Sequence, residues 1–129
     1  MLKAKKTAEF EYRLTIAPHF NERQQIPTTL ITIETTKQFA SFRYELSVKE
    51  EVKRKELHYA ILGLKAPQLS LPSSGTAQYV REYENLKGKY DIIVESLDGT
   101  ANAFTVTITR RAIKILKSPK NPFIELVVA

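Results

Sequence analysis

The sequence predicts an all-β fold, a sandwich or barrel of eight or nine short strands. Apolar residues recur at every second position in several stretches, the period at which a strand presents one face. Turn-forming clusters rich in glycine, proline, serine, aspartate or asparagine interrupt the chain at short intervals, as in chains of strand, turn and strand. No convincing long helical pattern competes with them.

Ala8, Phe10, Tyr12, Leu14 and Ile16 alternate with Glu9, Glu11, Arg13 and Thr15, which describes a half-buried strand. Residues 1–7 are expected to be a frayed, basic lead-in. Ala17-Pro18 is expected to end the strand, because proline cannot donate to a ladder, and His19 to Pro27 to form a polar loop. Thr28 to Thr36 sets Leu30 on one face and Ile31 and Ile33 on the other, as in a central strand. Phe42, Tyr44, Leu46 and Val48 form the next alternating series.

Lys49 to Glu56 carries both signs of charge. It reads as a solvated hairpin connection or a short helical turn, with a docking surface as the functional alternative. Leu57 to Leu64 resumes as a strand with two apolar faces. Ala66 to Gly75 is a loop that Leu69 and Leu71 are expected to pin to the body. Thr76 to Tyr83 alternates as a strand, although YVREYENL also suits a short helix.

Tyr90, Ile92 and Val94 share one face, and so do Phe104, Val106 and Ile108, with Asp98-Gly99 as the turn signal between them. A two-residue loop there pairs Ile92 with Thr105 and sets the two apolar series on opposite faces. A three- or five-residue loop centred on Gly99, at positive φ, pairs Val94 with Phe104, Ile92 with Val106 and Tyr90 with Ile108. One buried face fixes register strongly, so the second arrangement is expected. Arg111 to Lys117 is a lysine-studded run of the kind found on sheet edges. Ser118 to Pro122 makes a turn and Phe123 to Val128 a last strand, so residues 111–128 are expected to form a second hairpin.

Leu86, Gly88 and Tyr90 stand at alternate positions just before a strand. This LxGxY arrangement resembles the tyrosine corner of Greek-key sandwiches. The resemblance implies an immunoglobulin-like antiparallel β-sandwich of about seven to nine strands. It further implies that Tyr90 is buried at the entrance to its strand, with its hydroxyl bonded back to backbone a few residues upstream. The motif covers three residues only. The chain has no cysteine and no tryptophan, unlike antibody-type domains and the tryptophan-containing fibronectin pattern, so no functional residue is carried over.

A chain of 129 residues suits a single domain, residues 1–129. The absence of cysteine excludes a disulfide framework, a thiolate nucleophile and a cysteine metal site, and fits a reducing compartment. No apolar run approaches the length of a membrane span. The basic start, Met1 to Lys6, is not followed by the apolar core of a signal peptide. With residue 1 as the native start, a cytoplasmic protein is expected.

Catalysis finds no constellation to support it. His19 and His58 are far apart and lack metal-ligand spacing; each is expected to be solvated or hydrogen-bonded. The carboxylate pairs Glu9/Glu11 and Glu50/Glu51 need no explanation beyond solvation. The four glycines are scattered, so no phosphate-binding loop is present. The expectation is therefore a non-enzyme, with no catalytic residue, cofactor or metal assigned.

Two binding functions remain. The first is a protein-interaction or structural module, meeting another protein or a symmetric copy through an edge strand or an apolar sheet face. The second is binding of nucleic acid or another anionic surface. The net charge is +6, and Gly99 to Ile124 contains no acid while carrying Arg110, Arg111, Lys114, Lys117 and Lys120, a candidate anion-binding set. Phe104 and Phe123 are the only aromatics in that span and Phe104 is assigned to the core, so a stacking platform is missing. The interaction module is the preferred expectation.

Overall fold

The computed structural model describes residues 10–40, 44–66, 75–109 and 111–129. The expected lead-in 1–7, Ala8, Glu9, Phe42, the pinning residues Leu69 and Leu71, and Arg110 lie outside the described residues. Nine strands follow in chain order: β1 (Tyr12–Asn21), β2 (Ile26–Phe39), β3 (Glu45–Lys53), β4 (Glu56–Lys65), β5 (Gly75–Glu84), β6 (Gly88–Glu95), β7 (Ala101–Ile108), β8 (Ile113–Lys117) and β9 (Ile124–Val128). The all-β class is as expected, and Thr76 to Tyr83 lies in a strand. No helix among the described residues is long and apolar enough to cross a membrane.

The strands form one hydrogen-bonded sheet in the order β8-β7-β6-β4-β3-β5-β2-β1-β9. Its edges approach one another, since β8 comes next to both β9 and β1, so the sheet is rolled nearly into a barrel. Period-two burial explains the rolling, because the inward residues of distant strands need one shared interior. Leu14 and Ile16 of β1, Ile31 and Ile33 of β2, Leu57 and Tyr59 of β4, Ile92 and Val94 of β6 and Val106 of β7 are all fully buried. The pairings β1–β9, β3–β5 and β4–β6 are parallel, whereas antiparallel strands were expected throughout.

The sheet is continuous but unevenly joined. β3 meets β5 through a single bridge, Glu45 to Gln78. This bridge is the sparsest junction in the sheet, joining the run β8-β7-β6-β4-β3 to the run β5-β2-β1-β9.

Two expected features of the chain path are corrected. Pro18 does not end β1, which continues to Asn21 with Pro18 opposite Thr29. The ladder with β9 stops at Ile16 and Val128. Beyond it β1 has a strand neighbour on one side only, the setting that tolerates a residue without an N–H. Residues 111–128 do not form a hairpin either. β8 pairs with β7 and β9 with β1, on opposite edges of the sheet. The connection between them is held elsewhere: the Phe123 amide donates to Asn102 Oδ1 at 2.9 Å, the Glu11 amide donates to the Phe123 carbonyl at 3.1 Å, and the Phe123 ring meets Tyr12 edge-on.

The β6–β7 hairpin keeps both apolar series on one face, with a five-residue loop from Ser96 to Thr100 and Gly99 at φ 89°. The register differs by two residues from the expected one. Tyr90 faces Val106, Ile92 faces Phe104 and Val94 faces Asn102. The loop is centred on Asp98, whose carboxylate accepts the Ser96 hydroxyl and, at 2.9 Å, the Thr100 amide. These bonds hold that carboxyl down at about 2 and fix which residues belong to the loop.

Tyr90 is 8% exposed at the third position of β6. The β3–β4 turn docks against it: the Lys55 ammonium lies 4.7 Å from the Tyr90 ring centroid and donates to the Lys87 carbonyl, and the Asp91 amide donates to the Lys55 carbonyl. Gly88 adopts φ 94° beneath it, a conformation open to glycine at little cost. The Tyr90 hydroxyl makes no hydrogen bond among the described residues.

Asn102 is 5% exposed and serves both Phe123 and the Ala101 carbonyl. Asn102→Ala is expected to cost about 1–3 kcal/mol in urea unfolding, because a half-buried amide loses its acceptor. Unchanged stability would show that the β8–β9 connection is held without it.

Candidate interaction surface

The two seams of the rolled sheet differ in chemistry. At the β3/β5 seam, side chains take over where backbone pairing stops. Glu50, on the inward face of β3, binds Arg81 of β5 at 2.9 Å (Oε1 to Nη2) and accepts the Tyr83 hydroxyl. Tyr83 in turn shares a hydrogen bond of 2.7 Å with the Tyr59 hydroxyl. Burial, reinforced by these bonds, pushes the Tyr59 phenol far above its ordinary range, and Tyr83 rises for the same first reason, then through Glu50. The cluster acts as a latch between the two halves.

The β8/β9 seam has no such latch. No hydrogen bond or ion pair joins β8 to β9 among the described residues. On β8, Ile113 is buried, while Ile115 is 41% and Leu116 51% exposed. β9 is half-buried along most of its length. This seam therefore combines unpaired backbone with exposed apolar side chains, the combination that accepts an added strand.

The cations of the 99–124 segment do not gather as one set. Lys114 faces Thr107 and Lys117 faces Thr105 across the β7–β8 ladder, with a register shift at Leu116. Residues three apart in a regular strand point to opposite faces. The extra residue at Leu116 turns Lys117 back to the outer face beside Lys114. Lys89 of β6, facing Thr107 from the other side, extends the row and was not among the candidate residues. Its signal was its place on the polar side of Tyr90, Ile92 and Val94, readable once the β6–β7 register is known. Arg111 lies at the Asn21 end of the sheet and Lys120 at the opposite end, so neither joins the row. Arg110 is outside the described residues. Lys89, Arg111, Lys114, Lys117 and Lys120 have no ion pair among the described residues.

The remaining features are less pointed. His58 lies on the outer face of β4, 3.8 Å from Glu95 (Nε2 to Oε1), and exposed His19 borders a cleft of about 320 Å³ with Thr28 and Lys87. A larger cleft of about 600 Å³ at the Tyr12 end is lined by Phe10, Tyr12, Phe39, Leu46, Leu64 and Leu97, among others. β2 and β4 are both central strands, flanked on each side. A bulge at Leu62 leaves that side chain 55% exposed and turns Leu64 toward the cleft. Among the described residues no group of histidine, cysteine, aspartate or glutamate could hold a metal ion.

Glu50→Ala is expected to destabilise the fold by about 1–2 kcal/mol, less than for a fully buried charged hydrogen bond because Arg81 is half exposed. Lys117→Ala should stay within about 0.5 kcal/mol in the same urea titration. With rising pH, Tyr59 and Tyr83 should remain protonated in the folded state past the ordinary phenol value of 10.0. Their contribution to stability is complete below that pH and lost above it. Phenolate absorbance and unfolding followed together above pH 10 check this, and Tyr59→Phe/Tyr83→Phe should flatten the alkaline loss. Comparison of the chain with known proteins finds no matching family model, no matching curated protein and no matching solved structure.

Proposed function

We propose that the chain is a non-catalytic protein-interaction or structural module, built as a two-layered sandwich of the immunoglobulin-like kind. The observation that carries the functional reading is the β8/β9 seam, with its unpaired strand edges and exposed Ile115 and Leu116. A nearly closed sheet that leaves one seam unfastened offers a place for an external strand or surface. The two-layered reading is supported by the single β3–β5 bridge, which divides the sheet into halves, and the likeness to immunoglobulin-like folds rests on Leu86, Gly88 and Tyr90. The parallel β1–β9, β3–β5 and β4–β6 pairings are its points of departure from an all-antiparallel sandwich.

A second reading has its own observation. The bulge at Leu116 gathers Lys114 and Lys117 on one face with Lys89, and a row of cations without ion pairs among the described residues suits a phosphate backbone. It lacks exposed aromatic side chains between the lysines, so any such binding would be independent of base identity.

Affinity capture of the intact chain from its native host, after nuclease treatment, tests the first reading. A protein partner in stoichiometric amount, or a sedimenting mass near twice 14.7 kDa, is the expected result. Recovery of neither would overturn it. Nucleic-acid binding that falls steeply between low and moderate salt, and disappears in Lys114→Glu/Lys117→Glu, would favour the second.

A further inference from the structure

We propose that β8 is a docking edge for an extended segment of another protein, one that alternates apolar side chains with carboxylates and adds to the sheet along the side of β8 away from β7. This rests on the interaction-module reading and names the chemistry of the partner. β8 is anchored on one side only, by its ladder to β7 and by buried Ile113. Among the described residues its other side has no ladder, although β9 and β1 lie nearby. Beyond Ile113 the strand shows Ile115 and Leu116 to solvent between Lys114 and Lys117. Lysines usually protect an edge of this kind from unwanted pairing. Here the register shift sets both on the outer face, and among the described residues neither has an ion partner, so the edge rejects positive strands and favours negative ones.

The same charges argue against a second copy of this chain. Two β8 strands paired antiparallel about Ile115 and Leu116 would set Lys114 of one opposite Lys117 of the other, on one face, and like charges directly opposite are destabilising. The chain carries a net charge of +6, and Met1 to Lys6 holds three lysines and no acid, so its own leading residues are no better match. β9 supplies no compensation at the seam, since Glu125 is engaged by Arg13 at 3.1 Å.

The test uses a fluorescein-labelled eight-residue peptide alternating valine and glutamate, its lysine-for-glutamate counterpart, and a version N-methylated at alternate residues, which removes strand hydrogen bonds. Fluorescence anisotropy with the intact chain should show binding of the glutamate peptide, loss with the lysine peptide, and loss with N-methylation. In Lys114→Glu/Lys117→Glu, checked for folding by circular dichroism, affinity for the glutamate peptide should fall about tenfold or more, and the lysine peptide should bind instead. No binding of the glutamate peptide, or binding indifferent to N-methylation or charge reversal, would overturn the proposal. A stoichiometric partner captured equally by the charge-reversed variant would also overturn this edge while leaving the module reading standing.

Discussion

Side chains that alternate along nine strands must find a common interior, and this constraint shapes the whole molecule. Inward residues from β1, β2, β4, β6 and β7 are fully buried, yet they come from opposite ends of the sequence and from non-adjacent positions in the sheet. A flat sheet would leave them exposed, so the sheet rolls. Even the polar interior obeys the rule. Glu50 follows Leu46 and Val48 on the inward face of β3, and it is accommodated because Arg81 and Tyr83 stand on the inward face of β5 to receive it.

The rolling leaves two places where backbone pairing fails, and the chain treats them differently. At β3/β5 the gap is closed by a carboxylate, a guanidinium and two phenols. At β8/β9 it is left to apolar side chains and lysines that have no ion pair among the described residues. The contrast separates a seam that holds the molecule together from one that is available to something else. β9 is held along one side by its ladder to β1, and Asn102 with Phe123 fixes its entry from the end of the barrel.

Much of the architecture was readable because burial has a period of two. The inner faces of β1, β6 and β7 and the odd length of the β6–β7 loop follow from it, and the positive φ of Gly99 from the Asp-Gly turn signal. The same period explains the error in register. Sliding one strand past its neighbour by two residues leaves every side chain on its original face, so the pattern fixes parity and not position. The position is set by the Asp98 carboxylate and by buried Asn102, polar details that alternation does not weigh. Bulges were equally invisible. Without the extra residue at Leu116, Lys114 and Lys117 belong to different faces, and Arg111 and Lys120 appear closer to them than the fold allows. The parting of β8 from β9 depends on neighbours a hundred residues away in sequence, which no local turn signal reports. Pro18 misled for a similar reason, since its tolerance depends on where β9 stops.

The ladder between Tyr12–Ile16 and Ile124–Val128 joins the first described strand to the last. During synthesis everything from β2 to β8 must emerge before β1 meets its second neighbour. Until then Leu14 and Ile16, both sealed in the finished protein, face the cell with one flank bare. The nascent chain thus carries a strand with one open flank until β9 has emerged.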